Sequence, residues 1–280
     1  MYWRLTSLLL FIFASLPVVS AENPFGGAKH FDDYVNRGAR ILVVGAHPDD
    51  ESLAGPLLAY ACIEKGNKCH IAIFTTGGGG SCGLFLKGCK PDLATVRTQE
   101  MEKVAKLYGV SLDIGDFSNQ PPKVTDEKRN LDAIRAAWED EGDPLRWLRE
   151  IIERFRPDVL ITLDPDHGFT GHAEHQLASI LVNEVLDPEH GTPPGPRHLS
   201  VFHLINRYRI LKPLLGNDPA MPTEQWDLSH MCGEQTCARM ATEIAREHRS
   251  QLAVSSLALF VLFADKLETL YLRKLSAPEE

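Results

Sequence analysis

Two short clusters carry the residue types of a hydrolytic metal site. In His47-Pro48-Asp49-Asp50-Glu51 an imidazole and a carboxylate, His47 and Asp50, stand three residues apart, a spacing that can turn both to one side across a strand-to-helix turn as zinc ligands require. Asp49 lies between them, where an Asp is also a common helix cap. His172 and His175 are spaced i, i+3 and share a face at a helix start. Gln176, Ser179 and Asn183 extend that polar side, while Ala173, Leu177, Ile180 and Leu181 form the apolar one. Histidines off the apolar face are not core residues. Two His and one Asp complete the three protein ligands of a catalytic zinc, with the fourth position left to water, and a further carboxylate is then available as a base. The run Gly77 to Gly80 either brings backbone amides close to a sugar ring or phosphate or is a positive-φ loop that carries the turn from Cys82 to Cys89. It does not fit G-x-G-x-x-G, which excludes a dinucleotide site.

The surrounding pattern must position these clusters. Residues 39–46 form a β-branched apolar run typical of a strand buried on both faces. Pro48 then opens a helix expected to reach Glu64, with Asp49, Asp50 and Glu51 at the positive end of its dipole. A second strand is expected over 69–75, a helix over 93–108 and a short strand over 113–117. Residues 127–155 read as helix broken near Gly142-Asp143-Pro144, 157–164 as a buried strand, 173–186 as a helix and 199–205 as a strand. Helical segments are expected near 236–249 and 256–272, with long surface loops over 191–196 and 216–222. Strands alternating with helices predict an α/β, Rossmann-like, mostly parallel sheet with helices on both faces. In such sheets ligands bind beyond the carboxyl ends of the strands, where all three clusters fall.

At this point the residues resemble a known family. Ala46-His47-Pro48-Asp49-Asp50-Glu51 is similar to the signature of the PIG-L/LmbE-like zinc deacetylases, and Gly171-His172-Ala173-Glu174-His175 to that family's Gly-His-Pro-Asp-His. Arg97 with Glu100, and His248-Arg249-Ser250-Gln251, add to the match, which runs from about Arg40 to Gln251. The resemblance implies a Zn2+ held by His47, Asp50 and His175. It implies Asp49 as general base, His172 as a catalytic residue that stabilises the oxyanion or acts on the leaving group, and Arg97 as a substrate contact. Arg97 has a plainer alternative in an i, i+3 ion pair with Glu100. Ala173 and Glu174 depart from the family's Pro and Asp, so the carboxylate expected to orient His172 is one methylene longer. Thr170 stands where some relatives carry a tyrosine. A lone helical His such as His248 is more often structural than a site residue.

The implied reaction is removal of an acetyl group from an N-acetylated amino sugar. Zinc makes water a nucleophile near neutral pH, Asp49 takes its proton, and zinc with a protonated His172 stabilises the oxyanion. The other readings are a zinc amidase for a different acyl amide and a non-catalytic carbohydrate-binding protein with a degenerate site. Retention of Asp49 beside the ligands speaks against the last, since binding alone needs no base.

The whole chain sets the outer bounds. Its 280 residues, 44% hydrophobic and 24% charged, are ordinary globular composition. The net charge of −9, with no basic stripe, argues against a nucleic-acid partner. Residues 1–21 read as a secretory signal peptide: Arg4, the apolar run Leu8 to Ala14, then Pro17 and Val19-Ser20-Ala21, with one domain expected over 22–280. The expected location is therefore exported, periplasmic or secreted, the alternative being a membrane anchor through residues 1–21. The six cysteines fall as three local couples, so 62–69, 82–89 and 232–237 is the simplest pairing, with a thiolate zinc site as the rival reading.

Overall fold

A computed structural model describes residues 23–83, 88–119, 127–191, 194–196, 198–208, 212–216, 219–252, 261 and 267–275. The expected signal peptide lies outside them. After a short helix α1 (Phe31–Val35) the chain enters β1 (Ile41–Gly45), then α2 (Gly55–Leu58), β2 (Cys69–Thr75), α3 (Leu93–Tyr108) and β3 (Ser111–Phe117). Helices α4 (Glu127–Glu141) and α5 (Pro144–Phe155) lead to β4 (Val159–Leu163), α6 (Ala173–Leu186) and β5 (Ser200–Ile205). A one-turn helix α7 (Lys212–Leu215), strand β6 (Glu224–Asp227), a two-residue hairpin of β7 (Met231–Cys232) and β8 (Gln235–Thr236), helix α8 (Cys237–Ala245) and strand β9 (Thr269–Lys274) follow.

The seven-stranded sheet has the order β3-β2-β1-β4-β5-β9-β6. Strands β1 to β5 are parallel, and β9 pairs antiparallel with both β5 and β6. Every residue of β1, β2 and β4 is buried, as continuous apolar runs in a sheet covered on both faces require. Alternate residues serve the two cores. Ile41, Val43, Ile71 and Ile161 pack toward Leu57, Val104 and Ile244, and Leu42, Val44, Phe74 and Leu160 pack toward Trp138, Ile152 and Leu181. The chain runs outward from β1 in one direction and from β4 in the other. The carboxyl ends of these adjacent strands therefore flank the point where strand order reverses, which is where α/β sheets hold ligands.

Most elements stand where the sequence placed them; α1, α7 and the β7–β8 hairpin lie in stretches given no element, and three further differences bear on the site and the sheet. The helix expected to open at Pro48 does not start there. Asp49 lies at φ 130°, and winding begins as a 3-10 turn over Asp50–Ala54, becomes α over Gly55–Leu58 and widens to a π turn over Ala59–Glu64. Side-chain acceptors capture the first amides: Asp50 Oδ2 takes the N–H groups of Ala46 and His47, and Glu51 takes that of Asp49. Second, the helix expected over 256–272 ends instead as strand β9. Its Leu270 and Leu272 are buried at a period of two while their neighbours are not, and 253–260 and 262–266 fall outside the described residues. Third, β6 lies in a stretch given no element, because a four-residue edge strand reading Glu-Gln-Trp-Asp has almost no apolar signal.

All three local disulfides are present, Cys62–Cys69, Cys82–Cys89 and Cys232–Cys237. No helix among the described residues is long and apolar enough to cross a membrane.

Candidate metal and catalytic site

The end of β1 delivers His47, and the turn that follows delivers Asp49 and Asp50. The loop after β4 delivers His172 at the N-cap of α6, with His175 in its first turn. Asp50 Oδ2 accepts from the backbone of Ala46 at 2.7 Å and His47 at 2.9 Å, which pins the carboxylate to the strand end and turns Oδ1 toward His175 Nε2, 3.0 Å away. His175 Nε2 is also 3.0 Å from His47 Nδ1, and His47 Nδ1 is 3.8 Å from Asp50 Oδ2.

The opposite ring nitrogens explain why these atoms converge. His175 Nδ1 is 3.0 Å from the Gly168 carbonyl and 2.9 Å from Thr170 Oγ1, and His47 Nε2 meets the buried carboxylate of Glu174. Each imidazole gives its N–H outward and turns a lone pair inward, the pattern that prepares histidines as metal ligands. Two lone pairs and a carboxylate oxygen at these separations need a cation between them. Ligand atoms about 2.0–2.1 Å from a tetrahedral zinc would stand roughly 3.3–3.4 Å apart, within the spread seen here. In the metal-free protein a proton takes that part. Burial works against a charged His47, but its hydrogen bonds to the carboxylates of Asp50 and Glu174 outweigh it and push it up to about 10. Burial likewise opposes the Asp50 charge, yet His175 and His47 hold that carboxyl well below its ordinary range. The expected set His47, Asp50 and His175 is thus brought together and fits a divalent ion. His172 also lies close: ligand atoms of His47, His172 and His175 all fall within 4.8 Å of one another.

Two expectations about His172 need correction. Glu174 was expected to orient it, but Glu174 Oε2 bonds His47 and stays 4.0 Å from His172 Nδ1. The longer side chain reaches past its helix neighbour to the strand end. Burial, then the neighbouring His175 and His47, lower His172 to about 3, so it is neutral rather than protonated, and a cation between those two rings adds to the effect. Its side chain is 37% exposed, which makes it the accessible member of the histidine cluster.

Asp49 is set apart from the ligands. Its Oδ1 accepts from Arg97 Nη2 at 2.7 Å, and burial, only partly offset by Arg97, raises its pKa. Arg97 also donates to the carbonyls of Pro48 at 2.5 Å and Gly77 at 3.1 Å and is 4% exposed. Its guanidinium therefore serves Asp49 and the glycine loop rather than the alternative partner Glu100. Glu100 instead receives Ser250 N at 2.9 Å and Ser250 Oγ at 2.7 Å. Asn119, just beyond β3, is a site residue that sequence reasoning missed. It donates to Glu174 Oε2 at 2.5 Å and lies 3.1 Å from His47 Nε2, behind the first ligand. A single polar residue after an edge strand carries no periodicity or spacing that would have marked it.

The fold and this site define an α/β protein whose cluster of candidate metal ligands lies at the strand-order reversal. The family model of PIG-L, GlcNAc-PI de-N-acetylase, matches residues 42–186, more than half of the sequence, and the chain belongs to that family. A probable N-acetylglucosaminyl-phosphatidylinositol de-N-acetylase of Schizosaccharomyces pombe is 30% identical over 136 residues, 48% of this chain and 47% of the relative. The chain spans about half the length of the curated relatives it matches. Among solved structures, 4-carboxy-2-hydroxymuconate hydratase (GalB) from Pseudomonas putida KT2440 has a TM-score of 0.57 at 16% identity, over 86% of this chain and 98% of the other. The N,N'-diacetylchitobiose deacetylase of Pyrococcus horikoshii has a TM-score of 0.55 at 18% identity, over 91% and 86%. Those two likenesses show the fold alone, and a fold that accommodates a hydratase and a deacetylase does not choose the reaction.

Proposed function

We propose that this protein is a zinc-dependent N-deacetylase that hydrolyses the acetamide of an N-acetylated amino sugar to acetate and a free amine. The observation that carries the reading is the convergence of His47 Nδ1, Asp50 Oδ1 and His175 Nε2 beside a separate, partly exposed carboxylate, Asp49, that is paired with Arg97 and set off the ligand cluster. Membership of the PIG-L family supports it, as does the N-acetylated sugar named for the fission-yeast relative.

A zinc ion held by His47, Asp50 and His175 supplies Lewis-acid polarisation of the amide carbonyl and a water nucleophile usable at neutral pH. Asp49, with its pKa raised by burial, is placed to accept the proton of the attacking water and to return it to the departing nitrogen. Neutral His172, half-exposed at the first turn of α6, offers a ring N–H to the oxygen that gains charge. Glu174 and Asn119 keep the His47 ring in its ligand orientation.

The test is acetate release from a panel of N-acetylglucosamine glycosides and oligosaccharides by protein stripped of metal and titrated with zinc. Zinc-dependent release from any member supports the reading. Silence with zinc bound rejects the amino-sugar substrate and favours another acyl amide. Three disulfides and the apolar amino-terminal run support export to an oxidising compartment, which points to envelope or extracellular glycans and glycolipids as substrates. An amino terminus at Glu22 in the exported fraction supports cleavage of residues 1–21, and an intact Met1 in the membrane fraction indicates the anchored form.

A further inference from the structure

Asp49 is held in a conformation that its own backbone disfavours. At φ 130° and ψ −13° it lies outside the regions ordinarily open to a residue with a Cβ, and such an outlier persists only where the surroundings over-determine it. Arg97 fixes the carboxylate, and Glu51 fixes the backbone, its Oε2 accepting the Asp49 N–H at 3.1 Å. Glu51 is fixed in turn. Its Oε1 accepts from Ser52 Oγ at 2.8 Å and meets His248 Nε2 at 2.8 Å, and both side chains of this pair are 0% exposed. A carboxylate facing an imidazole in a dry core is costly to bury, and an apolar pair of the same volume would fill the space without that cost.

The segment around His248 is also tied to the helix that carries Arg97 and to the loop after the glycine run. Ser250 bonds Glu100 on α3, one turn from Arg97, through both its N–H and its hydroxyl. The Gly83 N–H donates to the Ser250 carbonyl at 2.7 Å, and Gln251 donates to the Ser81 carbonyl at 3.2 Å. The run His248 to Gln251 thus joins the Asp49 turn, the helix that carries Arg97 and the loop bridged by Cys82–Cys89.

We propose that the buried Glu51–His248 pair is a positioning device for Asp49, holding the strained turn so that the carboxylate stands against Arg97 and clear of the ligand cluster. This rests on Asp49 being the base in the reaction proposed above. Glu51 and His248 touch neither metal nor substrate in this role. They act through Asp49, and their removal should appear in turnover rather than in binding.

The decisive variant is Glu51→Gln, close to isosteric. Its amide cannot accept from both Asp49 N–H and His248 Nε2–H, so one contact is lost. Expected is a fall in kcat for acetate release of about 10- to 100-fold, the usual cost of misplacing a reacting group, with KM and zinc content unchanged. His248→Leu should match it, and His248→Gln, which retains a donor toward Glu51, should recover most of kcat. If His248→Leu does not fold, Glu51→Gln decides. A crystal structure of Glu51→Gln gives a readout independent of activity: Asp49 should leave its positive φ or separate from Arg97. Wild-type kcat with Asp49 unmoved overturns the inference. Absence of acetate release from the wild-type protein overturns the reading beneath it, and the position of Asp49 in the variant crystal then still decides whether the pair holds that turn.

Discussion

Asp49 and Asp50 are adjacent in sequence and opposite in setting. Burial raises Asp49 against the pull of Arg97, whereas His175 and His47 hold Asp50 well down despite its burial. Environments that drive two carboxyls apart suit them to different work, in the proposed reaction a proton acceptor and a permanent anion. Asp49→Asn is therefore expected to retain zinc, measured by metal content after dialysis, and to lose about 10²- to 10⁴-fold in turnover. Asp50→Ala and His175→Ala should lose the metal itself. Glu174→Ala frees the far side of His47 and should weaken zinc affinity by about 10- to 100-fold in competition with a chelator. The sequence marked His47, Asp49, Asp50, His172 and His175 because their spacing across two strand ends is informative by itself. It misplaced the partners of Glu174 and Arg97. Which neighbour a long side chain reaches depends on tertiary distances, and both residues pass over the near partner for one more than forty positions away.

At the scale of elements, the glycine loop after β2 is shaped by what packs against it. Gly77 has φ +69°, and a Cβ there would stand 2.4 Å from Arg97 Nη1. At Gly79 a Cβ would stand 1.7 Å from the Asn119 carbonyl. Gly77→Ala should cost about 1–3 kcal/mol in chemical denaturation and disturb the Arg97–Asp49 contact. Gly79→Ala should displace Asn119 and lower zinc affinity through His47. Both outcomes favour close approach as the reason for these glycines. Elements with strong periodicity or clear caps were legible to the residue, as with β2, α3 between Asp92 and Gly109, and α6. Those governed by side-chain capture or by pairing at the sheet edge were not. Nothing local in Glu224–Asp227 announces a strand until β9 lies beside it.

Across the whole molecule, two buried histidines tie the stability of the metal-free protein to pH with opposite signs. His203, lowered to about 3 by burial and then by Arg273, binds a proton in the unfolded chain before it does in the folded one. Its contribution to stability is lost as pH falls below its ordinary 6.5, by at most about 1.4 kcal/mol per pH unit. His47, raised to about 10, contributes below 6.5 and loses that contribution as pH rises through 10. Denaturation of stripped protein should show both losses, His203→Gln should reduce the acid one, to which His172 also contributes, and zinc, which takes the place of the His47 proton, should abolish the alkaline one. The three disulfides bear on how the molecule is made. Each joins a cysteine to the next one along the chain, at separations of 7, 7 and 5 residues. A chain that enters an oxidising compartment amino terminus first meets each correct partner before any wrong one downstream arrives, so of the fifteen ways to pair six thiols, order of entry favours the native one.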